Sequence, residues 1–249
     1  MASVYVAWAV SAVVLLGLAI WIGVAANGHY FGILIDSRGR YSLAQLQLVL
    51  WSIVVLSLLG AYIWGRLQLA PAKDVLNFGI PNNVLILLGI SLGSAAAATV
   101  VKAQKNGSPT DANAVAASSP ADPPRFAQVF LVEEGTMADR AVDVTKYQNF
   151  WITLIFAAAY VATAIQQIGA VKGIGDLASL PDLSGTLVTL LGLSHVTYIA
   201  GKVPDQSGQP PGLTYAMLAY VGPKANLPEG VAPRNPPKSI PPRQVPPQR

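Results

Sequence analysis

Residues 43–64 read LAQLQLVLWSIVVLSLLGAYIW, a run without Asp, Glu, Lys or Arg. A helix needs roughly 20 mainly apolar residues to cross the hydrocarbon core of a bilayer, so this run predicts a transmembrane helix. Further stretches of the same character lie at residues 4–26, 81–101, 150–171 and 183–200. The sequence therefore predicts an all-α integral membrane protein with about five transmembrane helices.

The composition agrees with this class. Hydrophobic residues make up 53% of the 249-residue chain and charged residues 11%, whereas soluble domains carry about 25% charged residues. The fifth span is the shortest, and Gly185, Gly192 and His195 dilute its apolar character. The first span is longer than the apolar core of a signal peptide and follows no basic residue. We interpret it as a retained helix, with a cleaved signal peptide as the alternative.

Several kinds of chemistry find no support in the sequence. The chain has no cysteine, which excludes disulfides, thiolate metal sites and cysteine nucleophiles. It also lacks the sequence motifs of P-loop, zinc-protease, serine-hydrolase and dinucleotide-binding sites. We expect a protein that is not an enzyme, with no catalytic residues, no cofactor and no metal site. The net charge of +4 is concentrated in the C-terminal tail and beside the spans, so we expect no nucleic-acid partner.

The distribution of basic residues predicts the orientation, because cytoplasmic loops carry an excess of Lys and Arg. Five spans divide these residues into two groups. The smaller group is Arg66, Lys73 and Lys172. The larger group is Arg38, Arg40, Lys102, Lys105, Arg125, Arg140, Lys146, Lys202 and those of the basic tail. The N-terminus is therefore predicted outside and the C-terminus in the cytoplasm, in the plasma (inner) membrane of a bacterium.

Two parts of the chain resemble each other in order and spacing. Residues 33–47 (ILIDSRGRYSLAQLQ) correspond to 130–135 (FLVEEG) followed by 140–148 (RAVDVTKYQ). Downstream, residues 80–82 (IPN) and 87–91 (LLGIS) match 180–182 (LPD) and 190–194 (LLGLS). Recurrence in the same order predicts a tandem parallel duplication of a strand, turn and helical-hairpin unit. Within it, Ser42 and Asp143 are candidate helix N-caps.

The duplication divides the chain into five regions. They are a first helix (1–28), repeat 1 (29–103), a flexible cytoplasmic linker (104–124), repeat 2 (125–202) and a proline-rich basic tail (203–249). We expect the repeats to form a pseudo-twofold four-helix bundle with the first helix at its side. Gly89 and Gly93 then allow close helix packing, within one chain or between chains.

Small β elements are predicted on the cytoplasmic side. Residues 30–36 and 125–133 have the apolar alternation of strands, which could form separate hairpins or pair with each other. The tail ends in the near-repeats PPKSI, PPRQV and PPQR, which favour extended polyproline II. This segment is either a docking ligand for a soluble protein or a solvated basic tail near lipid head groups. Residues 213–221 form the only apolar island of the tail.

Isolated polar residues are the remaining candidates. His195 is the one ionisable residue inside a span, and a buried structural histidine is the alternative to a functional one. Gln47 and Gln148 are expected to bond exposed backbone or to cross-link helices. Arg40 and Arg140 are expected to anchor in head groups or to hold Asp36 and Glu134. Gln166 and Gln167 suit either a polar cavity or the membrane interface, and His29 is too far from His195 in sequence to predict a metal site.

These features lead to two functional expectations. The first is a non-enzymatic membrane anchor or scaffold that recruits a cytoplasmic protein through its turns, linker and tail. The alternative is an oligomeric channel or transporter component, since duplicated bundles are common among transporters. The spans carry no Asp, Glu, Lys or Arg for coupled transport, but Ser, Thr and Gln can line a pore. The expected partners are the lipid bilayer, a cytoplasmic protein and further copies of the chain.

Overall fold

A computed structural model describes residues 2–107, 123–135 and 137–203. The described part is mostly helical, as predicted. Its α-helices are α1 (Ala2–Asn27), α2 (Leu43–Leu69), α3 (Asn82–Gly107), α4 (Val144–Ala170) and α5 (Gly185–Ala200). Short 3-10 helices at Gly32–Leu34, Ala72–Asp74, Phe126–Val129 and Ile174–Leu177 lie between them.

Four helices are long and apolar enough to cross a membrane. Helices α1 to α4 have 26 or 27 residues each, and each contains an apolar stretch of 18 residues with at most two charged side chains. Helix α5 has 16 residues and is therefore about 24 Å long at 1.5 Å per residue, shorter than the hydrocarbon thickness. The four long helices are consistent with a membrane location.

Helix α2 is at the centre of the bundle and packs against α1, α3 and α4, while α5 packs against α3 and α4. One face of α2 is buried, where Trp51, Leu58 and Tyr62 are inaccessible to solvent. The opposite face exposes Leu56 and Trp64. A helix with apolar residues on both its buried and its exposed faces is expected where lipid replaces water.

Helix α1 lies at the side of α2. The indole nitrogen of Trp8 donates to Ser57 Oγ at 3.1 Å, and the hydroxyl of Tyr5 donates to the Ile165 carbonyl at 2.8 Å. Most of the other α1 side chains are exposed or half-buried, and Val4 and Gly23 are its only buried described residues. The helix is therefore attached along one narrow face.

The predicted strands at 30–36 and 125–133 are not formed in the described part of the chain. Each segment contains a 3-10 helix instead. The backbone N–H of Leu34 donates to the Phe31 carbonyl at 3.0 Å, and that of Phe130 donates to the Ala127 carbonyl at 2.9 Å. Each segment then makes a single antiparallel bridge, Ile35 with Tyr41 and Leu131 with Val142. Leu34 and Val129 are buried against the helices, and their burial accounts for the strand-like alternation of apolar residues although no described strand lies beside them. The two bridges join each segment to the residues that lead into the next helix, as in the predicted separate hairpins, but no strand forms in the described residues and the two segments make no bridge to each other.

Candidate functional site

One end of the bundle contains a buried network of ion pairs, which we call the network end. Glu133 is at its centre, with Lys146 Nζ and Lys202 Nζ at 2.7 Å and Lys102 Nζ at 3.4 Å from its carboxylate oxygens. These lysines come from α4, from the residues after α5 and from α3. A single carboxylate therefore connects the ends of three helices.

A second carboxylate, Glu134, extends the network toward the loop after α1. Arg38 Nη1 lies 2.8 Å and Lys105 Nζ lies 2.6 Å from its oxygens. Arg38 Nε also donates to Asn106 Oδ1 at 3.1 Å. Because Arg38 precedes α2 while Lys105 and Asn106 end α3, Glu134 joins the two halves of the chain.

The loop segments preceding α2 and α4 also bind each other. Arg40 makes a bidentate pair with Asp139, with both nitrogen–oxygen distances at 2.5 Å. The backbone N–H of Tyr41 donates to Gln128 Oε1 at 3.4 Å, and Lys102 pairs with Asp36. Arg40 therefore holds a carboxylate of the other half of the chain. The expectation that Arg40 holds Asp36 is met only by the Arg40 backbone N–H, which lies 3.2 Å from Asp36 Oδ1.

Burial and charge act in opposite directions on Glu133. Desolvation by burial raises its pKa, but the coulombic attraction of Lys146, Lys202 and Lys102 outweighs it and holds the pKa well below the usual range. The group is therefore an ionised acceptor of hydrogen bonds at neutral pH. Among the described ion pairs, six basic side chains meet four acidic ones, which leaves this end of the bundle basic.

The opposite end of the bundle is organised by Arg66. Its guanidinium donates to the carbonyl oxygens of Val75, Leu177, Asp74 and Asn77 at distances between 2.7 and 3.0 Å. These carbonyls belong to the loops that follow α2 and α4. A parallel bridge between Gly79 and Ser179 joins the same loops. Arg66 thus holds the loops after α2 and α4 together. Counting Arg66 only as a basic residue that indicates orientation did not predict this role.

Polar side chains also cross-link the helices inside the bundle. Gln47 Nε2 donates to Asn149 Oδ1 at 3.0 Å and to Thr153 Oγ1 at 2.7 Å, which connects α2 to α4. Ser194 of α5 donates to the same Asn149 oxygen at 3.0 Å. Gln47 therefore cross-links helices, one of its two predicted roles. Its sequence counterpart Gln148 is exposed and lines a pocket of about 110 Å³ between α4 and α5. The neighbouring Asn149 is the buried residue.

His195 pairs with a serine on another helix. Its Nδ1 lies 2.8 Å from Ser94 Oγ of α3, and Ser94 donates to the Ser91 carbonyl at 3.2 Å. The His195 side chain is buried, and its Nε2 has no hydrogen-bond partner among the described residues. Both residues border a groove of about 510 Å³ on the outer surface between α3 and α5.

A cluster of aromatic side chains lies at the start of α4, beside the network end. Phe130 contacts Phe150 with ring centroids 5.0 Å apart, and Phe150 contacts Trp151 at 5.6 Å. Tyr147 and Trp151 remain about half exposed. Aromatic residues with this exposure are typical of the boundary between lipid and water. Phe130 precedes α4 and the other three residues lie in its first turns, so the cluster is local to the start of this helix.

The remaining predicted residues make no described ion pair in the network. Arg140 is exposed and makes no described ion pair with Glu134, so that predicted pair is wrong. Gln166 is exposed, while Gln167 Nε2 donates to the Ser179 carbonyl at 3.1 Å. His29 is exposed. Residues 108–122 of the predicted linker and residues 204–249 of the predicted tail lie outside the described residues.

In the described ranges, no group of three or more His, Asp or Glu residues could hold a metal ion. Comparisons of the chain with protein-family models, with curated proteins and with solved structures found no match.

Proposed function

We propose that the protein is a non-enzymatic multi-pass membrane scaffold that recruits a cytoplasmic protein at its network end. The observation that carries the proposal is the set of contacts around Glu133, which holds α3, α4 and α5 in one arrangement. Buried ion pairs contribute little net stability because desolvation offsets their attraction. Their effect here is to give the network end a single geometry, which a docking surface requires.

Two described ranges of the chain end next to the network, and this supports the proposed function. Lys105 and Lys202 are members of the network, and they lie beside Gly107 and Val203, after which the undescribed segments 108–122 and 204–249 begin. Both segments therefore start from the same end of the bundle. The second contains the repeated PP motifs, a sequence type that soluble domains with aromatic-lined grooves recognise.

The proposed topology has five crossings, with the N-terminus outside and the network end in the cytoplasm. Arg38, Lys102, Lys146 and Lys202 meet at one end, whereas Arg66 binds both loops at the other. This division supports a crossing by the short helix α5.

We also retain the tandem duplication as part of the proposal. The order of a 3-10 helix, a 27-residue helix, a second 3-10 helix and a further α-helix occurs twice after α1. The loops after α2 and α4 pair through the Gly79–Ser179 bridge, and these two residues directly precede the matching segments 80–82 and 180–182. Both facts support a repeated unit, with repeat 2 lacking the extension that takes α3 to Gly107.

Deletion tests the scaffold function. The full-length protein and a variant without residues 204–249 are purified from native membranes in mild detergent, and co-purifying proteins are quantified by mass spectrometry. We expect a soluble protein in stoichiometric amount with the full chain and its loss from the deletion variant. A variant without residues 108–122 tests the second segment, and thermal unfolding of each variant checks that the bundle persists. The same proteins at the same ratios in all three samples would contradict the proposal.

A second candidate function, a channel for protons or small polar solutes, has one observation in its favour. Several polar atoms inside α2 to α5 are buried without a described partner. They are Gln45 Oε1, Gln47 Oε1, Trp51 Nε1, Tyr62 OH, Ser91 Oγ, Asn149 Nδ2, Tyr160 OH, His195 Nε2 and Tyr198 OH. Such groups are normally hydrogen-bonded, often to internal water. Liposomes that contain the reconstituted protein and carry a pH gradient test this function. A channel would dissipate the gradient, and the Asn149→Leu variant would dissipate it more slowly.

A further inference from the structure

The groove between α3 and α5 has a floor of small residues. Gly89, Gly93 and Ala97 lie on its α3 side at intervals of four residues, and Gly192 and Ala200 lie on its α5 side. In a membrane, helices associate by close packing of their backbones, which small residues at this spacing permit. The groove therefore has the form of a helix-docking surface.

Gly89 and Gly93 are not used for packing within the chain. A Cβ atom added at either position would meet no described atom within 4 Å. The contrast with α2 is clear, because a Cβ at Gly60 would lie 2.6 Å from Ser11 Oγ and one at Gly65 would lie 2.9 Å from Leu177 Cδ1. Helix α3 meets its neighbours through another face, which contains Val84 and Leu87. The glycine face is left for a contact outside the described chain.

A polar group at the groove also lacks a partner. The His195 side chain lines the groove, and only 2% of its surface is exposed. Its Nε2 atom makes no described hydrogen bond. The Ser94 contact already occupies Nδ1. Leaving a buried nitrogen without a hydrogen bond is unfavourable. Because Ser94 donates to the Ser91 carbonyl, Nδ1 of a neutral His195 donates to Ser94 and Nε2 is an acceptor, so a partner that brings a hydroxyl donor into the groove would pair it.

We propose that the groove is covered by a second copy of this chain, with α3 packed against α3 across a twofold axis near Gly89 and Gly93. A twofold interface uses the same surface on both subunits, and a row of small residues at four-residue spacing is its own complement. Residues 82–101 of α3 carry no charge, so an uncharged membrane helix matches this face, and the chain itself supplies one. An acyl chain has no backbone that requires this spacing. The proposal is independent of the scaffold function.

Cysteine cross-linking tests the interface directly, because the chain contains no cysteine. Ala97→Cys places a thiol in the groove, in line with Gly89 and Gly93. Ile155→Cys places one on α4, where the native side chain is 59% exposed. Each full-length variant is oxidised in native membranes at low expression. We expect a covalent dimer from Ala97→Cys and monomer from Ile155→Cys. Monomer from both variants, or equal dimer from both, would overturn the proposal.

A blocking substitution provides a second, independent test. Gly93→Leu adds a side chain where no described atom lies within 4 Å, so the fold of each subunit is expected to persist. Gly17→Leu on α1 is the matched control, since its Cβ position is equally open. In the Ala97→Cys background, Gly93→Leu should abolish the cross-link and Gly17→Leu should leave it. Cross-linking that survives Gly93→Leu, or a single-copy mass for the wild-type protein in native mass spectrometry, contradicts the second copy as occupant.

If Gly93→Leu lowers the unfolding temperature, Gly89→Leu replaces it, because that position is also open. Should both variants unfold, the comparison of Ala97→Cys with Ile155→Cys decides alone.

Discussion

Glu133 shows how a few contacts hold the network end together. Its carboxylate accepts from Lys146 and Lys202, and Lys102 lies 3.4 Å away. Replacing it by glutamine leaves the buried ammonium groups of Lys146 and Lys202 without a described counter-charge, whereas Lys102 keeps its pair with Asp36. Removing one partner of a buried ion pair costs about 3–5 kcal/mol. We therefore expect Glu133→Gln to lower the free energy of unfolding by this amount, measured by chemical denaturation in detergent.

Asp176→Asn is the matched control for this substitution. Asp176 is exposed near the opposite end of the bundle and accepts from the backbone N–H groups of Lys172 and Gly173. Asparagine can accept the same bonds, so a change of about 0.5 kcal/mol or less is expected. Equal losses in the two variants would show that the Glu133 contacts have no special role.

The lowered pKa of Glu133 predicts how stability depends on pH. Its folded pKa lies below the ordinary value of 4.5, so the unfolded chain takes up the proton first as the pH falls. The contribution of Glu133 is therefore complete above pH 4.5 and is lost as the pH falls toward the folded pKa. Thermal unfolding in an acidic pH series should show a steeper decrease for wild type than for Glu133→Gln. Parallel curves would contradict the assignment.

At the scale of the element, the observed ends of the helices differ from the ends of the apolar runs in the sequence. The apolar runs 81–101 and 150–171 predicted the lipid-spanning lengths, but α3 continues to Gly107 and α4 begins at Val144. The extensions carry Lys102, Lys105 and Lys146 into the network. Hydropathy detects only the part of a helix in lipid, whereas capping and ion pairs determine where it begins and ends.

The two predicted N-caps differ, which provides a matched pair of variants. Asp143 accepts hydrogen bonds from the backbone N–H groups of Thr145 and Lys146, whereas Ser42 makes no side-chain cap bond. Loss of a cap bond costs about 1 kcal/mol. We expect Asp143→Ala to destabilise the protein by this amount more than Ser42→Ala does. The comparison uses equilibrium unfolding, and an equal or larger effect of Ser42→Ala would refute it.

At the scale of the whole molecule, the proposed orientation predicts which loops face the outside of the cell. Lys73, Gly175 and Arg140 are exposed, and the first two belong to the loops at the Arg66 end. A membrane-impermeant maleimide should label Lys73→Cys and Gly175→Cys in intact cells. Arg140→Cys and Ser207→Cys should react only after lysis. Labelling of Ser207→Cys in intact cells, with Arg140→Cys protected, would show that α5 does not cross the membrane.

The sequence by itself determined the helical class, the approximate positions of the apolar helices and the grouping of charges into two sets. These properties follow from local composition, because crossing hydrocarbon demands a long uncharged helix whatever its neighbours are. The meeting of Arg38, Lys102, Lys146 and Lys202 at one end also agrees with the grouping made from the sequence.

Only the tertiary structure decided which residues bind each other. Arg40 pairs with Asp139, 99 positions along the chain, and His195 pairs with Ser94, 101 positions away. It also decided that Gly89 and Gly93 have no described neighbour in the chain, while Gly60 and Gly65 are closely packed. Pairing and packing depend on how helices are rotated and placed against each other, and residue spacing along one helix does not contain that information.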